Sequence, residues 1–149
     1  MEKISNVSEI EVTYKTKVRP SERVKITSSV DAANILRDVW TNKIELYEEF
    51  VILCLNRANK VLGWVKVSQG GLTGTVIDAK IIFSIALKTN ASGIILCHNH
   101  PSGNLQPSDA DKQITKQLSA AGKLLEISVL DHIILTVEGF YSFADEGIL

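Results

Sequence analysis

The chain has 149 residues, of which 45% are hydrophobic and 22% charged, enough apolar material for one globular domain with a core of its own. Its 16 Lys and Arg against 17 Asp and Glu give a formal net charge of −1, and no run of five or more cations occurs, so the basic footprint of a general nucleic-acid-binding surface is missing. Cys54 and Cys97 both lie inside apolar runs and form no disulfide framework, Met1 to Ser5 lacks the apolar core of a signal peptide, and no apolar stretch is long enough to span a bilayer; the expectation is a soluble, cytoplasmic protein.

Residues 1 to 9 are polar and read as loose. Ile10, Val12 and Tyr14 alternate with Glu11, Thr13 and Lys15, the pattern of a half-buried edge strand, which Arg19-Pro20-Ser21 interrupts before a second short strand at Val24-Lys25-Ile26. Ser28 or Ser29 then caps a helix running to about Trp40, with Ala32, Ala33, Leu36, Val39 and Trp40 on its inner face. From Tyr47 to Leu55 the continuous apolar run Phe50-Val51-Ile52-Leu53-Cys54-Leu55 predicts a central strand buried on both sides. Glu48 and Glu49 stand at its mouth and point to opposite faces; periodicity does not choose between them. Asn56 to Lys60 reads as a hairpin turn into a strand over Val61 to Ser68, whose apolar members include Leu62, Trp64, Val65 and Val67.

Gly70, Gly71 and Gly74 match neither the P-loop nor the dinucleotide fingerprint, so they are read as a mobile loop beside the site rather than a phosphate cradle. Asp78 caps a helix from Ala79 to about Lys88 that buries Ile81, Ile82, Ile85 and Ala86 and crosses over to a buried strand, Gly93-Ile94-Ile95-Leu96-Cys97.

That strand ends in the most informative stretch of the chain, Cys97 to Asp111. Residues two apart on a strand share a face, so His98 and His100 leave the sheet side by side and can share one metal ion, while Cys97 points the other way as a small buried hydrophobe. Pro101, Gly103 and Pro107 break the backbone, and Ser108 caps a helix starting near Asp109. Asp111, Ile114, Leu118 and Ala121 form one stripe, which turns the Asp111 carboxylate toward the protein. Two imidazoles and one carboxylate suit a borderline metal such as zinc, and three protein ligands leaving one position for water is the catalytic arrangement. Ser108 and Asp111 also have capping-box spacing, which explains both residues without a metal but leaves the paired histidines unexplained. The nuclease motif spelled by the letters His-Asn-His spreads its residues over a longer unit and is set aside. Gly122 is expected to stop the helix. Leu125 to Leu135 reads as one or two strands interrupted at Asp131-His132, a pair that either orients a metal ligand or makes a local hydrogen bond at a strand end. Glu138-Gly139 is a turn before a last strand, Phe140 to Phe143.

His98-x-His100-Pro101 followed by Ser108-x-x-Asp111 resembles the signature of the JAMM metalloproteases, and His98-Asn99-His100-Pro101-Ser102-Gly103 resembles their RadC-like bacterial branch. Glu48-Glu49-Phe50 leading to Leu55-Asn56, Asp131-His132-Ile133-Ile134, and Tyr141-Ser142-Phe143 with Gly147 resemble the same branch. The resemblance covers residues 25 to 149 and leaves 1 to 24 as an N-terminal strand and extension. It implies an α/β domain, a mixed β-sheet flanked by helices and related to cytidine deaminases. The deaminase chemistry itself is argued against by the missing His-x-Glu and Pro-Cys-x-x-Cys signature. It further implies zinc on His98, His100 and Asp111, Glu48 rather than Glu49 as the catalytic glutamate, Ser108 as a stabiliser of the oxyanion, and hydrolysis of a peptide or isopeptide bond in a peptide or protein substrate. The alternative is a non-catalytic module that binds nucleic acid or protein in connection with DNA repair. The balanced charge argues against nucleic acid as the main partner, as does the absence from this sequence of the helix-hairpin-helix region that often precedes the domain in RadC-like proteins.

Overall fold

The computed structural model describes residues 6–40, 43–70 and 76–149. Three helices, α1 (Ser29–Trp40), α2 (Ala79–Lys88) and α3 (Asp109–Leu124), flank five strands, β1 (Glu49–Leu55), β2 (Val61–Gln69), β3 (Gly93–Asn99), β4 (Ser128–Leu135) and β5 (Phe140–Ser142). The strand order is β2-β1-β3-β4-β5. β1 runs antiparallel to both β2 and β3, β3 and β4 are parallel through the α3 crossover, and β5 returns antiparallel to β4. This is the expected single α/β domain with a mixed sheet.

β1 and β3 are apolar at nearly every position because helices cover both faces of the sheet. Val51, Leu53, Leu55, Ile95, Cys97, Ile133 and Leu135 pack on one side with Ala32, Ala33, Leu36 and Trp40 of α1. On the other side Phe50, Ile52, Cys54, Ile94 and Leu96 meet Ile82, Phe83 and Ala86 of α2 and Leu118 of α3. Cys54 and Cys97 are both free, and they sit in opposite layers. Asp78 caps α2 as expected, its side chain accepting from the Lys80 N–H at 2.9 Å. No helix among the described residues is long and apolar enough to cross a membrane.

Several expectations are corrected. Residues Ile10 to Tyr14 form no strand and are exposed, because their backbone finds no ladder partner; the segment touches the sheet through the Tyr14 hydroxyl, which donates to the Leu62 carbonyl at 2.6 Å. Val24-Lys25-Ile26 contributes only an isolated bridge between Lys25 and Lys60. Ile81, expected inside, is exposed, whereas Phe83 is buried instead; Trp64 of β2 is also exposed. Gly71 and Gly74 lie outside the described residues. Gly122 does not end its helix: a Cβ there would meet the Ile127 carbonyl oxygen at 2.3 Å, so glycine is required by close packing of the returning chain. The stop comes at Glu126, which takes the left-handed conformation (φ 57°) while the Ile127 N–H bonds to the Gly122 carbonyl at 2.8 Å and the Glu126 N–H to Lys123 at 3.2 Å, a Schellman arrangement. β4 continues through Asp131 and His132 without a break.

Candidate metal centre

The alternation of β3 separates its last residues between the two sides of the sheet. His98 lies on the α2/α3 side, stacked against Phe50 with ring centroids 6.0 Å apart and planes at 7°. His100 follows just beyond the strand, its N–H still bonded to the Leu135 carbonyl of β4 at 2.9 Å. Gly103, at φ +85°, lets the chain turn back sharply enough for the Asn104 carbonyl to accept from His100 Nδ1 at 2.6 Å. With Nδ1 committed to that carbonyl, His100 turns Nε2 toward His98, and the two Nε2 atoms are 2.9 Å apart.

Ser108 and Asp111 form a complete capping box at the start of α3: Ser108 Oγ accepts from the Asp111 N–H at 3.0 Å, and Asp111 Oδ2 accepts from the Ser108 N–H at 2.9 Å. Capping and ligand geometry turn out to be the same geometry, since the Oδ2 fixed by the cap lies 3.3 Å from Nε2 of both His98 and His100. The three residues have ligand atoms close enough to share one metal ion. Electrostatics agree with a cation-seeking cluster. The hydrogen bond to Asp111 raises His100 above its ordinary value, with burial opposing. Burial pushes the Asp111 carboxyl up, but the close approach of His100, and after it of His98, outweighs burial and holds the group well below the usual carboxylate range.

Glu48 precedes β1 by one residue and is half-buried; it lines a cavity of about 180 Å³ together with Phe50, Ile77, His98, Ala110, Asp111 and Ile114. Glu49 is buried on the opposite side of the sheet, 3.2 Å from Lys66 Nζ. Ser108 is exposed and does not line that cavity.

Two polar residues were not singled out from the sequence. Asn99, fully buried, sits on the α1 side between the two histidines; its Oδ1 accepts from the Glu49 N–H at 2.8 Å, and its Nδ2 donates to the Ile44 and Tyr47 carbonyls at 2.7 Å each. The segment that carries Glu48 is therefore tied to the strand that carries the histidines. Thr115, one helical turn after Asp111, bonds to the Asp111 carbonyl and to His132, both at 2.6 Å; its i+4 spacing from Asp111 was the available signal. His132 contacts His98 directly, Nε2 to Nδ1 at 2.7 Å, and burial pushes it well below its ordinary value. Asp131 points the other way, toward the Ser142 hydroxyl (2.6 Å), the Ala144 N–H (3.0 Å) and the His132 N–H (2.7 Å), where burial raises its carboxyl.

A mixed five-stranded sheet with a His-His-Asp cluster between the end of β3 and the start of α3 is the arrangement of a JAB-type domain with a candidate metal site. The chain belongs to the RadC-like JAB domain family, which it matches over residues 26–148, and its relatives form the UPF0758 family of bacteria. A UPF0758 protein of Flavobacterium johnsoniae is 50% identical over 125 residues, covering 83% of this chain and 53% of that protein. One from Chlorobaculum parvum is 44% identical over 105 residues (70% and 47%), and one from Staphylococcus haemolyticus 38% over 127 residues (85% and 55%). The chain thus spans about half the length of these relatives.

Proposed function

We propose that this domain is a zinc-dependent hydrolase of the JAMM type that cleaves a peptide or isopeptide bond. The observation that carries the reading is the convergence of His98 Nε2, His100 Nε2 and Asp111 Oδ2 beside a cavity that Glu48 also lines. The donor set fits zinc: bonds of ~2.0–2.1 Å at tetrahedral angles put ligand atoms ~3.3 Å apart. Two of the three separations here are 3.3 Å and the third, 2.9 Å, has only to open slightly. Zinc held there supplies Lewis acidity and brings the ionisation of water to near pH ~7. Glu48 accepts the proton of the attacking water and returns it to the departing amine. Ser108 keeps its hydroxyl hydrogen, since the cap uses only its oxygen, and donates it to the carbonyl oxygen as negative charge develops. Phe50, Ile77 and Ile114 give the cavity apolar walls for a side chain next to the scissile bond.

Elemental analysis of protein purified without chelator should give one zinc per chain, lost when His98 and His100 are both replaced by alanine. On a cleaved peptide or isopeptide substrate, Glu48→Gln should keep the zinc and slow hydrolysis by ~10²–10⁴-fold. Glu49→Gln should not slow it. Zinc-free parent protein, or full activity in Glu48→Gln, overturns the proposal.

A further inference from the structure

His132 is fully buried in β4 and is not among the converging ligands, yet it touches one of them. The hydrogens along its contacts follow from the far end. The Asp111 carbonyl oxygen can only accept, so the Thr115 hydroxyl hydrogen points to it across 2.6 Å. The Thr115 oxygen is then the acceptor for His132, whose Nδ1, 2.6 Å away, carries a hydrogen. His132 lies between the rings of Phe50 and Phe143 and has no carboxylate among its side chain's hydrogen-bond partners, a site that accommodates the neutral imidazole. Its Nε2 therefore bears a lone pair. Across 2.7 Å that lone pair accepts from His98 Nδ1, and in the neutral His98 imidazole this leaves Nε2 without a hydrogen, facing His100 and Asp111.

We infer that His132, held by Thr115, is a positioning residue that fixes His98 as the Nδ1–H tautomer and so presents Nε2 as a ligand atom. The line of hydrogen bonds begins at the backbone carbonyl of Asp111 and ends beside the carboxylate of the same residue. One residue on α3 therefore supplies a ligand and anchors the orientation of another. A carboxylate is the common partner of a metal-binding imidazole; here a histidine and a threonine take that place, and Asp131 instead secures the chain after β5. The inference rests on the metal reading of the cluster, but the tautomer is a property of the metal-free chain and can be measured on its own.

The test uses the full chain with His132→Gln, His132→Leu and Thr115→Val, each checked for folding by denaturant titration. Glutamine can place Oε1 where Nε2 stood and accept from His98; leucine cannot. Nitrogen-15 spectra of the metal-free parent should show His98 protonated at Nδ1, retained in His132→Gln and lost in His132→Leu. Zinc affinity, read by competition with a chromophoric chelator, should fall by ~10–100-fold in His132→Leu, with most of it recovered in His132→Gln. If His132→Leu does not fold, Thr115→Val carries the test: it frees His132 to exchange tautomers and should give mixed His98 signals and weaker zinc binding. An Nε2–H tautomer for His98 in the metal-free parent overturns the inference, and so does parental zinc affinity in folded His132→Leu or Thr115→Val. A parent that binds no zinc overturns the metal reading instead, and the spectra still decide the role of His132.

Discussion

Replacing Asn99 with alanine should detach the Glu48 segment from the sheet while leaving every proposed metal ligand in place. The side chain satisfies three backbone groups: the Glu49 N–H and the Ile44 and Tyr47 carbonyls. Their fates differ once it is gone. Tyr47 is exposed and Ile44 half-buried, so water can reach those carbonyls, but Glu49 is buried and its N–H is left with nothing. An unsatisfied buried donor costs ~1–3 kcal/mol, and the two carbonyls, exchanging protein for water, add ~0.5–1 kcal/mol between them. The expected loss is therefore ~1.5–4 kcal/mol, within the ~5–15 kcal/mol that holds a domain together. Urea unfolding would measure it, and hydrogen exchange at the Glu49 amide should accelerate far more than exchange in the interior of β3. Zinc content should be unchanged while hydrolysis falls, since the displaced group is the proposed proton carrier. A stability loss under ~1 kcal/mol, or a Glu49 amide as protected as before, would refute the reasoning.

Three further outcomes follow from the same contacts. His100, raised above its ordinary 6.5 by Asp111, stabilises the metal-free fold below that pH and loses its contribution as pH rises through the raised value; Asp111, lowered from 3.8, contributes above 3.8 and loses its contribution as pH falls through the lowered value. Denaturation in chelator should thus show the largest difference between parent and His100→Gln between 3.8 and 6.5, shrinking toward alkaline pH; a flat difference contradicts the pairing. Glu126→Gly should raise stability by ~0.5–1 kcal/mol by removing a left-handed non-glycine residue, read as a higher urea midpoint at unchanged slope. Asp131→Asn should be tolerated, because the amide oxygen can keep the two N–H donors and the nitrogen can donate to Ser142, whereas Asp131→Ala strands the buried His132 N–H and should cost ~1–3 kcal/mol by the same titration.

The parts of the fold that were legible in the sequence were those written in local periodicity. His98 and His100 share a face because strands alternate, Asp111 turns inward because it begins an apolar stripe, and Asp78 and Ser108 announce their helices by capping. Patterns that depend on a neighbour were misread. Ile10 to Tyr14 alternates like a strand, but alternation describes only one side of a ladder, and among the described residues no second strand stands beside it. Gly122 carried the ordinary sign of a helix end, whereas the reason for glycine there lies in the approach of Ile127, visible only after the chain has turned. Asn99 stands in the motif, but local pattern gives no sign of its role, since its partners are about fifty residues earlier in the chain.

The pairing of β1 with β3 sets Phe50 opposite His98, and this register acts as a ruler between two chemistries carried on distant parts of the chain. A slip of one residue would turn every side chain of β3 to the wrong layer. The smallest slip that preserves the layers is two residues, which moves one strand past the other by ~6.8 Å, farther than a glutamate could follow. The spacing between Glu48 and the His98, His100 and Asp111 cluster is thus quantised by the sheet rather than adjustable in a loop. Variation in this site is confined to side chains on a fixed frame, and a copy that abandoned Glu48 could keep its ligands, and its fold, untouched.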